Sequence, residues 1–476
     1  MTLLPGQHIH IVGIGGFGMS AIARILLGHG CVVSGSDLHA NDLTRALAAA
    51  GATIYEGHAA AHIAGADLVA VTSAANEDNL EVAAARAAGI PVLRRRDLLG
   101  ALMAGQVGIA VAGTHGKTTT TALLVHVLRE AGLDPTYIVG GVLANTGTNA
   151  GVGRGLHFVN EADEYERMFL GLRPQMAILT NIEHDHPDCY PTLDDVRAAF
   201  AEFAALLPDD GLLVACADDP EARALGDSRR AAGHPVAFYG VTGAASEGSI
   251  GDEAFWRASD LTPDAAGGMA FTVWRGARNL GRVRLALAGR HNVLNALAVI
   301  AVADHAGVPF TVTAGALGGF LGTGRRAETL GVAGGVTVIS DYAHHPTAVR
   351  VTLEALHDRP GSGDLWAVWQ PHTYGRMRAL AGEFATAFAA ADHVLVTDVH
   401  SVRETVTPGL DAAGMAAQIA GAGHPDVRYT GALNATAEAL IARVRPGDVV
   451  ALLSAGDAPQ VGRMVLDALS SRERQP

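Results

Sequence analysis

The sequence predicts an α/β protein of three domains, each built on a largely parallel sheet covered by helices. Three observations carry this. Short apolar, β-branched runs alternate with helical patterns along most of the chain, and that alternation implies parallel, doubly wound sheets. Two strand-to-helix turns are glycine-rich, at residues 13–18 and 113–118, so nucleotide-type sites open two separate units. A third glycine-rich stretch, Gly322-Thr323-Gly324-Arg325-Arg326, precedes a renewed strand–helix alternation. Boundaries at 1–105, 106–324 and 325–476 divide the 476 residues into units of ordinary domain size.

Composition narrows the function. A hydrophobic content of 49% with 17% charged residues describes an ordinary globular chain, neither disordered nor fibrous. The net charge of −14 argues against nucleic acid or an anionic membrane surface as partner. Cys31, Cys189 and Cys216 are few and scattered, so they are expected as buried, reduced thiols and not as a disulfide framework or zinc site. The first residues carry neither a basic n-region nor an apolar h-region, and no apolar run reaches about 18 residues. A cytoplasmic location without a membrane span is expected.

In the first unit, residues 8–12 form a strand that runs into Gly13-Ile14-Gly15-Gly16-Phe17-Gly18 and a helix to about residue 30. A strand from 31, a helix over 42–50, a strand at 68–72, a helix over 78–88 and a short strand at Val92 follow. Gly13, Gly15 and Gly18 match G-x-G-x-x-G, with Asp37 as the acidic residue about 20 positions on. Such a turn admits any pyrophosphate closely, whether of NAD or of a UDP-sugar. The run Arg94-Arg95-Arg96 reads as a solvated turn.

The second unit opens on the apolar strand 107–112 and the turn Gly113-Thr114-His115-Gly116-Lys117-Thr118, followed by Thr119 and a helix. Backbone N–H groups and a helix N-terminus cradle phosphate oxygens, a lysine reaches the terminal phosphates, and the next hydroxyl holds Mg²⁺. Val111 occupies the place where the strict phosphate-loop pattern wants its first glycine; Gly113 serves instead. Two further apolar strands run into polar clusters, Glu161-Ala162-Asp163-Glu164 and Asn181-Ile182-Glu183-His184-Asp185-His186. Both therefore lie at the carboxyl edge of the sheet beside the phosphate loop, where oxygen ligands suit Mg²⁺. His184 and His186 would share a face on an extended run. Residues 256–287 alternate with period two and predict antiparallel strands added to the unit. Asn295, inside the apolar helix from about 290 to 307, is a buried amide that a nucleotide contact would explain.

In the third unit, polar loops follow the strands near 336–340, 365–370 and 448–453. They are Asp341-Tyr342-Ala343-His344-His345-Pro346, the stretch from Gln370 through His372 to Arg376, and Ser454-Ala455-Gly456-Asp457. Strand-end loops of such a sheet share one edge, so these are expected to form one site.

Residues 113–118, Glu161 to Glu164, Gly289-Arg290-His291-Asn292 with Asn295, residues 341–346 and Gln370-Pro371-His372 together resemble the Mur ligases, in order along the whole chain. The resemblance implies an N-terminal Rossmann-like, UDP-sugar-binding domain, a central P-loop ATPase-type α/β domain with added antiparallel strands, and a C-terminal Rossmann-like α/β domain acting as a lid. It implies ATP and Mg²⁺ as cofactors, UDP-N-acetylmuramate and L-alanine as substrates, and a monomer or weak homodimer. Gly13, Gly15, Gly16, Phe17, Gly18 and Met19 are then assigned to the UDP-sugar, with Asp37, His58 and Ser73 as further candidates. Gly113, Thr114, His115, Gly116, Lys117, Thr118 and Thr119 would hold the ATP phosphates, and Asn295, Arg326 and Asp341 the purine and ribose. Thr118 and Glu161 would take one Mg²⁺ and His186 a second. Lys117, His115, His345, His372 and Arg376 would carry the chemistry.

The sequence departs from the family pattern at Thr373, where an arginine is usual, and at Ala327, where an aromatic is usual. Two other readings stay open: a sister ligase taking a murein tripeptide, and a nicotinamide-dependent oxidoreductase using the first glycine turn alone.

Overall fold

The computed structural model describes residues 4–72, 75, 78–241, 252–264, 267–359, 363–401 and 411–473. Its strands fall into three sheets. The first holds five parallel strands, with His8–Val12 central, Val32–Asp37 and Thr53–Glu56 to one side, and Leu68–Val71 and Val92–Arg94 to the other. The order reverses between His8–Val12 and Leu68–Val71, and the turn at 13–18 lies at that switch point, where doubly wound sheets bind ligands. The strand Thr53–Glu56 was not legible beforehand, because it is a four-residue edge with no buried position. The arginine run is not a solvated turn: helix Arg95–Leu102 begins inside it, and Leu98, Leu99 and Leu102 anchor that helix in the core.

The second sheet has ten strands, with Val107–Ala112 paired in parallel to Met176–Leu179 on one side and His157–Glu161 on the other. These three strand ends bring the phosphate loop and both polar clusters to one edge. Phe255–Pro263 joins the sheet in parallel beside Val236–Val241, the two strands after it, Met269–Arg275 and Arg278–Leu285, add antiparallel pairs, and at the other end Thr136–Leu143 and Thr148–Gly151 also pair antiparallel. Helix Lys117–Glu130 packs against helices Arg290–His305 and Phe310–Gly318. One continuous apolar cluster runs from Ile9 and Ile25 of the first unit through Ile109 and Leu123 of the second. Helix Phe17–Gly28 makes the join by packing on strands Thr136–Leu143 and Thr148–Gly151.

The third sheet has six strands, five of them parallel, with Val449–Leu453 between Val336–Asp341 and Leu365–Trp369. Glu328–Ala333 closes one edge antiparallel. Each face of this sheet has its own apolar cluster, one around Trp369 and Phe384 and the other around Trp366 and Leu440, as expected for a sheet covered on both sides. No helix among the described residues is long and apolar enough to cross a membrane. Cys31 and Cys216 are buried free thiols, whereas Cys189 is only half-buried.

A buried carboxylate fastens the first sheet to its helices. Glu81, fully buried, accepts from the Ser36 hydroxyl at 2.6 Å and lies 2.7 Å from His62 Nδ1 and 3.0 Å from His58 Nδ1. Burial alone would raise its pKa, but the nearby His10 imidazole, 3.7 Å away, and the hydrogen bonds of Ser36, His62 and His58 hold it down at about 2. A carboxyl whose folded pKa is depressed stabilises the fold above its unfolded pKa and loses that contribution as pH falls toward the folded value. At neutral pH this amounts to about 3 kcal/mol. Glu81→Gln is therefore expected to lower the thermal midpoint most near neutrality, with the deficit shrinking between about pH 4.5 and about pH 2. A deficit independent of pH across that window would show that the carboxylate is not what the network stabilises.

Candidate active site

The phosphate loop is shaped by two glycines and by what lies under them. Gly113 and Gly116 have φ of 137° and 83°, a region costly for a residue with a Cβ. A Cβ at Gly113 would overlap the Thr180 hydroxyl, and one at Gly116 would come within 2.7 Å of Asn295 Oδ1. The Thr114 N–H donates to Asn181 O at 3.0 Å and the His115 N–H to Asn181 Oδ1 at 2.8 Å. In return, the Thr180 hydroxyl and the Asn181 amide donate to His115 O at 2.6 and 3.1 Å. Val111 is still inside the strand, paired with Ile178 and Glu161, which is why the first glycine comes at 113. At the start of the helix, the N–H groups of Lys117, Thr118 and Thr119 have no intrahelical acceptor and offer an anion site.

Lys117 is turned onto its own loop. Its Nζ donates to Gly113 O at 2.6 Å, Thr114 O at 3.0 Å and Glu164 Oε1 at 2.9 Å. Burial opposes its charge, but Glu164 outweighs that and keeps the ammonium protonated. Burial also pushes the Glu164 carboxyl up to about 7, with Lys117 offsetting part of the rise.

The donors around Thr118 suit a hard cation. The Thr118 hydroxyl donates to Glu161 Oε1 at 2.8 Å, and the Gly140 N–H donates to Glu161 Oε2 at 2.6 Å. A Cβ at Gly140 would come within 2.7 Å of both carboxylate oxygens, so the backbone there leaves the cradle open. These oxygens fit Mg²⁺, which takes few protein ligands and keeps water and phosphate for the rest. His186 lies further along the same edge, 3.8 Å from Glu164 Oε1 and 3.7 Å from Asp185 Oδ2. Burial lowers its pKa, leaving a neutral imidazole with a lone pair. It does not share a face with His184 on an extended run, because its φ of 55° turns the chain and His184 Nε2 bonds Tyr190 O at 2.9 Å.

The C-terminal loops converge on this edge. Gln370 knits them together: its Oε1 accepts from the Ser454 hydroxyl at 2.6 Å, and its Nε2 donates to Asp457 Oδ1 at 2.7 Å. Arg376 crosses to the central domain, where it pairs with Asp185 at 2.8 Å with both side chains 6% exposed. The same guanidinium bonds His372 Nδ1 at 3.2 Å. Burial holds both His372 and His345 at about 4, so both are neutral. Arg326 NH2 donates to Thr118 Oγ1 at 3.0 Å, which puts this guanidinium at the phosphate end of the loop. The Asp341 carboxylate is engaged by the Ala327 and Ala343 N–H groups at 2.7 and 2.8 Å. Asn295 Nδ2 bonds Asn292 Oδ1 at 3.1 Å, and its oxygen supports the loop from beneath.

The N-terminal turn stays on its own sheet. The Gly15 N–H donates to Asp37 Oδ2 at 2.8 Å, so this carboxylate braces the turn. Gly16 caps helix Phe17–Gly28. Gly13, at φ 78°, leaves no room for a Cβ against Thr72. Phe17 is exposed, while the Met19 side chain is in the core. His58 is engaged by Glu81, and Ser73 lies outside the described residues. Arg95 packs over Gly18 and pairs with Asp163 at 3.6 Å, joining this turn to the central acidic cluster.

Three family models match successive stretches of the chain. The model of the Mur ligase family catalytic domain matches residues 8–107, that of the Mur ligase middle domain 111–303, and that of the Mur ligase glutamate ligase domain 325–456. The chain belongs to the Mur ligase family. It is 43% identical to a UDP-N-acetylmuramate–L-alanine ligase from Anaeromyxobacter sp. (strain Fw109-5), over 97% of this chain and 98% of that one. A protein of the same name from Roseiflexus sp. (strain RS-1) is 44% identical over 97% and 99%. Among solved structures, UDP-N-acetylmuramate-alanine ligase MurC of Thermotoga maritima superposes with a TM-score of 0.79 at 29% identity, covering 98% of this chain and 99% of that one. A murein peptide ligase from Psychrobacter arcticus gives 0.69 at 28% identity, with the same coverage.

Within this Mur ligase, sequence reasoning passed over Arg95, Glu164 and the pairing of Asp185 with Arg376. The acidic residues stood in plain view inside polar clusters, but nothing local marks which carboxylate meets which cation. Burial would raise Asp185, yet His186, Arg376 and the neighbouring histidines hold it well below the usual range. Removing one member of such a buried pair strands the other charge, at a cost of about 3 kcal/mol. Asp185→Asn and Arg376→Met are each expected to destabilise, and the double variant to cost clearly less than their sum. Additive effects in that double-mutant cycle of unfolding free energies would mean that the two side chains do not act as a pair.

Proposed function

We propose that this Mur ligase joins L-alanine to the lactyl carboxylate of UDP-N-acetylmuramate with cleavage of ATP, in the cytoplasm. The observation that carries this is the convergence of two half-sites on one edge: the phosphate loop with Thr118 and Glu161, and the C-terminal loop residues His345, His372 and Arg376. The names of the relatives supply the substrates.

A carboxylate is a poor electrophile. Its oxygen attacks the γ-phosphorus of ATP, ADP leaves, and an acyl phosphate forms. The alanine nitrogen then adds to the acyl carbon, and the tetrahedral intermediate collapses with loss of inorganic phosphate. The first transfer needs charge neutralisation and alignment more than covalent help. Lys117 leaves Gly113, Thr114 and Glu164 for the β- and γ-phosphates, while the N–H groups of 117–119 take the remaining oxygens. Thr118 and Glu161 would hold Mg²⁺ and His186 would be the ligand of a second ion; such ions would supply neutralisation of the developing phosphate charge. His115 at the loop tip and Arg326 beside Thr118 reach the transferring group. His345, His372 and Arg376 face the incoming amino acid. The UDP-sugar lies along residues 13–19, with Arg95 between its pyrophosphate and Asp163.

Phosphate release is expected to require UDP-N-acetylmuramate and L-alanine together. Release with a tripeptide or glycine in place of alanine would transfer the reading to a sister ligase. Lys117→Ala is expected to cut turnover by about two to three orders of magnitude, while UDP-sugar binding, measured by calorimetry, persists. Loss of both in a folded variant would overturn the assignment of the two substrates to separate domains.

A further inference from the structure

His115, Glu183 and His345 form a cluster that the phosphoryl-transfer chemistry does not require as a unit. His115 belongs to the phosphate loop, Glu183 to the loop after strand Met176–Leu179, and His345 to the C-terminal domain. Their ligand atoms all lie within 4.8 Å of one another. His115 Nε2 is 3.4 Å from Glu183 Oε2, and His345 Nδ1 is 3.6 Å from the same oxygen. The tautomer of His345 follows from its partners. Nε2 faces the His184 carbonyl at 3.4 Å and so carries the hydrogen, while Nδ1 accepts the Thr347 N–H at 3.3 Å. That lone pair also lies 3.6 Å from the Glu183 oxygen with no hydrogen between them, so a cation that displaces the long Thr347 N–H bond would bridge the two.

The spacing selects the cation. Metal–ligand bonds of about 2.1 Å at tetrahedral angles put two donor atoms roughly 3.4 Å apart, as for Zn²⁺. Octahedral Mg²⁺, with bonds of about 2.1 Å at right angles, needs roughly 2.9 Å and prefers oxygen to imidazole. The two separations to Glu183 Oε2 lie nearer the wider figure, and the two imidazole nitrogens lie within 4.8 Å of each other. We propose that His115, Glu183 and His345 form a site for a borderline divalent cation of the Zn²⁺ class, distinct from the Mg²⁺ position at Thr118 and Glu161. A bound ion would clip the phosphate loop to the C-terminal domain and take the loop-tip imidazole out of use, so the site is inhibitory. The Thr347 hydroxyl, which donates to Glu183 Oε2 at 2.7 Å, competes with the ion for that oxygen.

The test uses Co²⁺ as the probe, titrated into the full-length protein with Mg²⁺ in large excess and followed by the visible absorption of four-coordinate cobalt. One equivalent is expected to bind. Glu183→Gln, checked for folding by its thermal midpoint, is expected to weaken binding by about tenfold or more, while His186→Asn leaves it unchanged. Thr347→Val removes the competing donor and is expected to tighten binding several-fold, which decides the matter should the glutamine variant fail to fold. Unchanged affinity in Glu183→Gln, loss of binding in His186→Asn, or no tightening in Thr347→Val would overturn the site. Because the readout is metal binding alone, its failure leaves the ligase reading untouched, and failure of that reading leaves the site standing.

Discussion

The close approach of the phosphate loop to the end of the neighbouring strand sets the geometry of everything around it. Gly113 lies against the Thr180 hydroxyl with no space for a side chain, and the reciprocal bonds between residues 114–115 and 180–181 hold two loops from separate strands as one body. That contact fixes where the first helical turn points, and hence where Thr118 meets Glu161. It also fixes the start of the run through Glu183, Asp185 and His186, onto which the C-terminal domain docks. A shift of this loop would move the cation cradle, the lysine and the docking surface together.

The same region shows how charge is handled without solvent. Lys117 and Glu164 are buried together, as are Arg376 and Asp185. Buried ion pairs contribute little net stability against apolar residues of similar volume, but losing one partner is costly. Such pairs enforce arrangement. Lys117 is held charged by the carbonyl and carboxylate oxygens that surround its ammonium. Arg376 orients His372 while fastening its domain to the central one, so the position of His372 depends on the docking of the two domains.

Much of this was legible in the sequence, because strand-end loops in parallel sheets combine an apolar run with glycine and polar residues in a fixed order. The phosphate loop, the two acidic clusters and the three C-terminal loops all carry that signature. The strands Thr53–Glu56, Thr136–Leu143, Thr148–Gly151 and Glu328–Ala333 lack it: they are edges or irregular hairpins, half exposed or interrupted by glycine, without a clean period. Arg95 was read as solvated because three adjacent arginines resemble a surface run, and only its contact with Gly18 and Asp163 shows otherwise. Asp37 illustrates a different limit. Its spacing marks the turn correctly, but the carboxylate is spent on the Gly15 N–H, and no pattern in sequence separates a brace from a ligand.

The unbroken apolar cluster shared by the first two domains has a mechanical consequence. Their interior cannot be sheared without opening packed side chains, so the glycine turn at 13–18 and the phosphate loop ride on one chassis at a fixed separation. The third domain has its own interior on each face of its sheet, and its contacts with the chassis include the buried Arg376–Asp185 pair and the Thr347–Glu183 and Arg326–Thr118 hydrogen bonds. Positive φ at Arg325 and Ala327, 60° and 47°, marks the chain that joins them. A change in domain arrangement would therefore fall at the seam of the C-terminal domain, while the turn at 13–18 and the phosphate loop keep their separation.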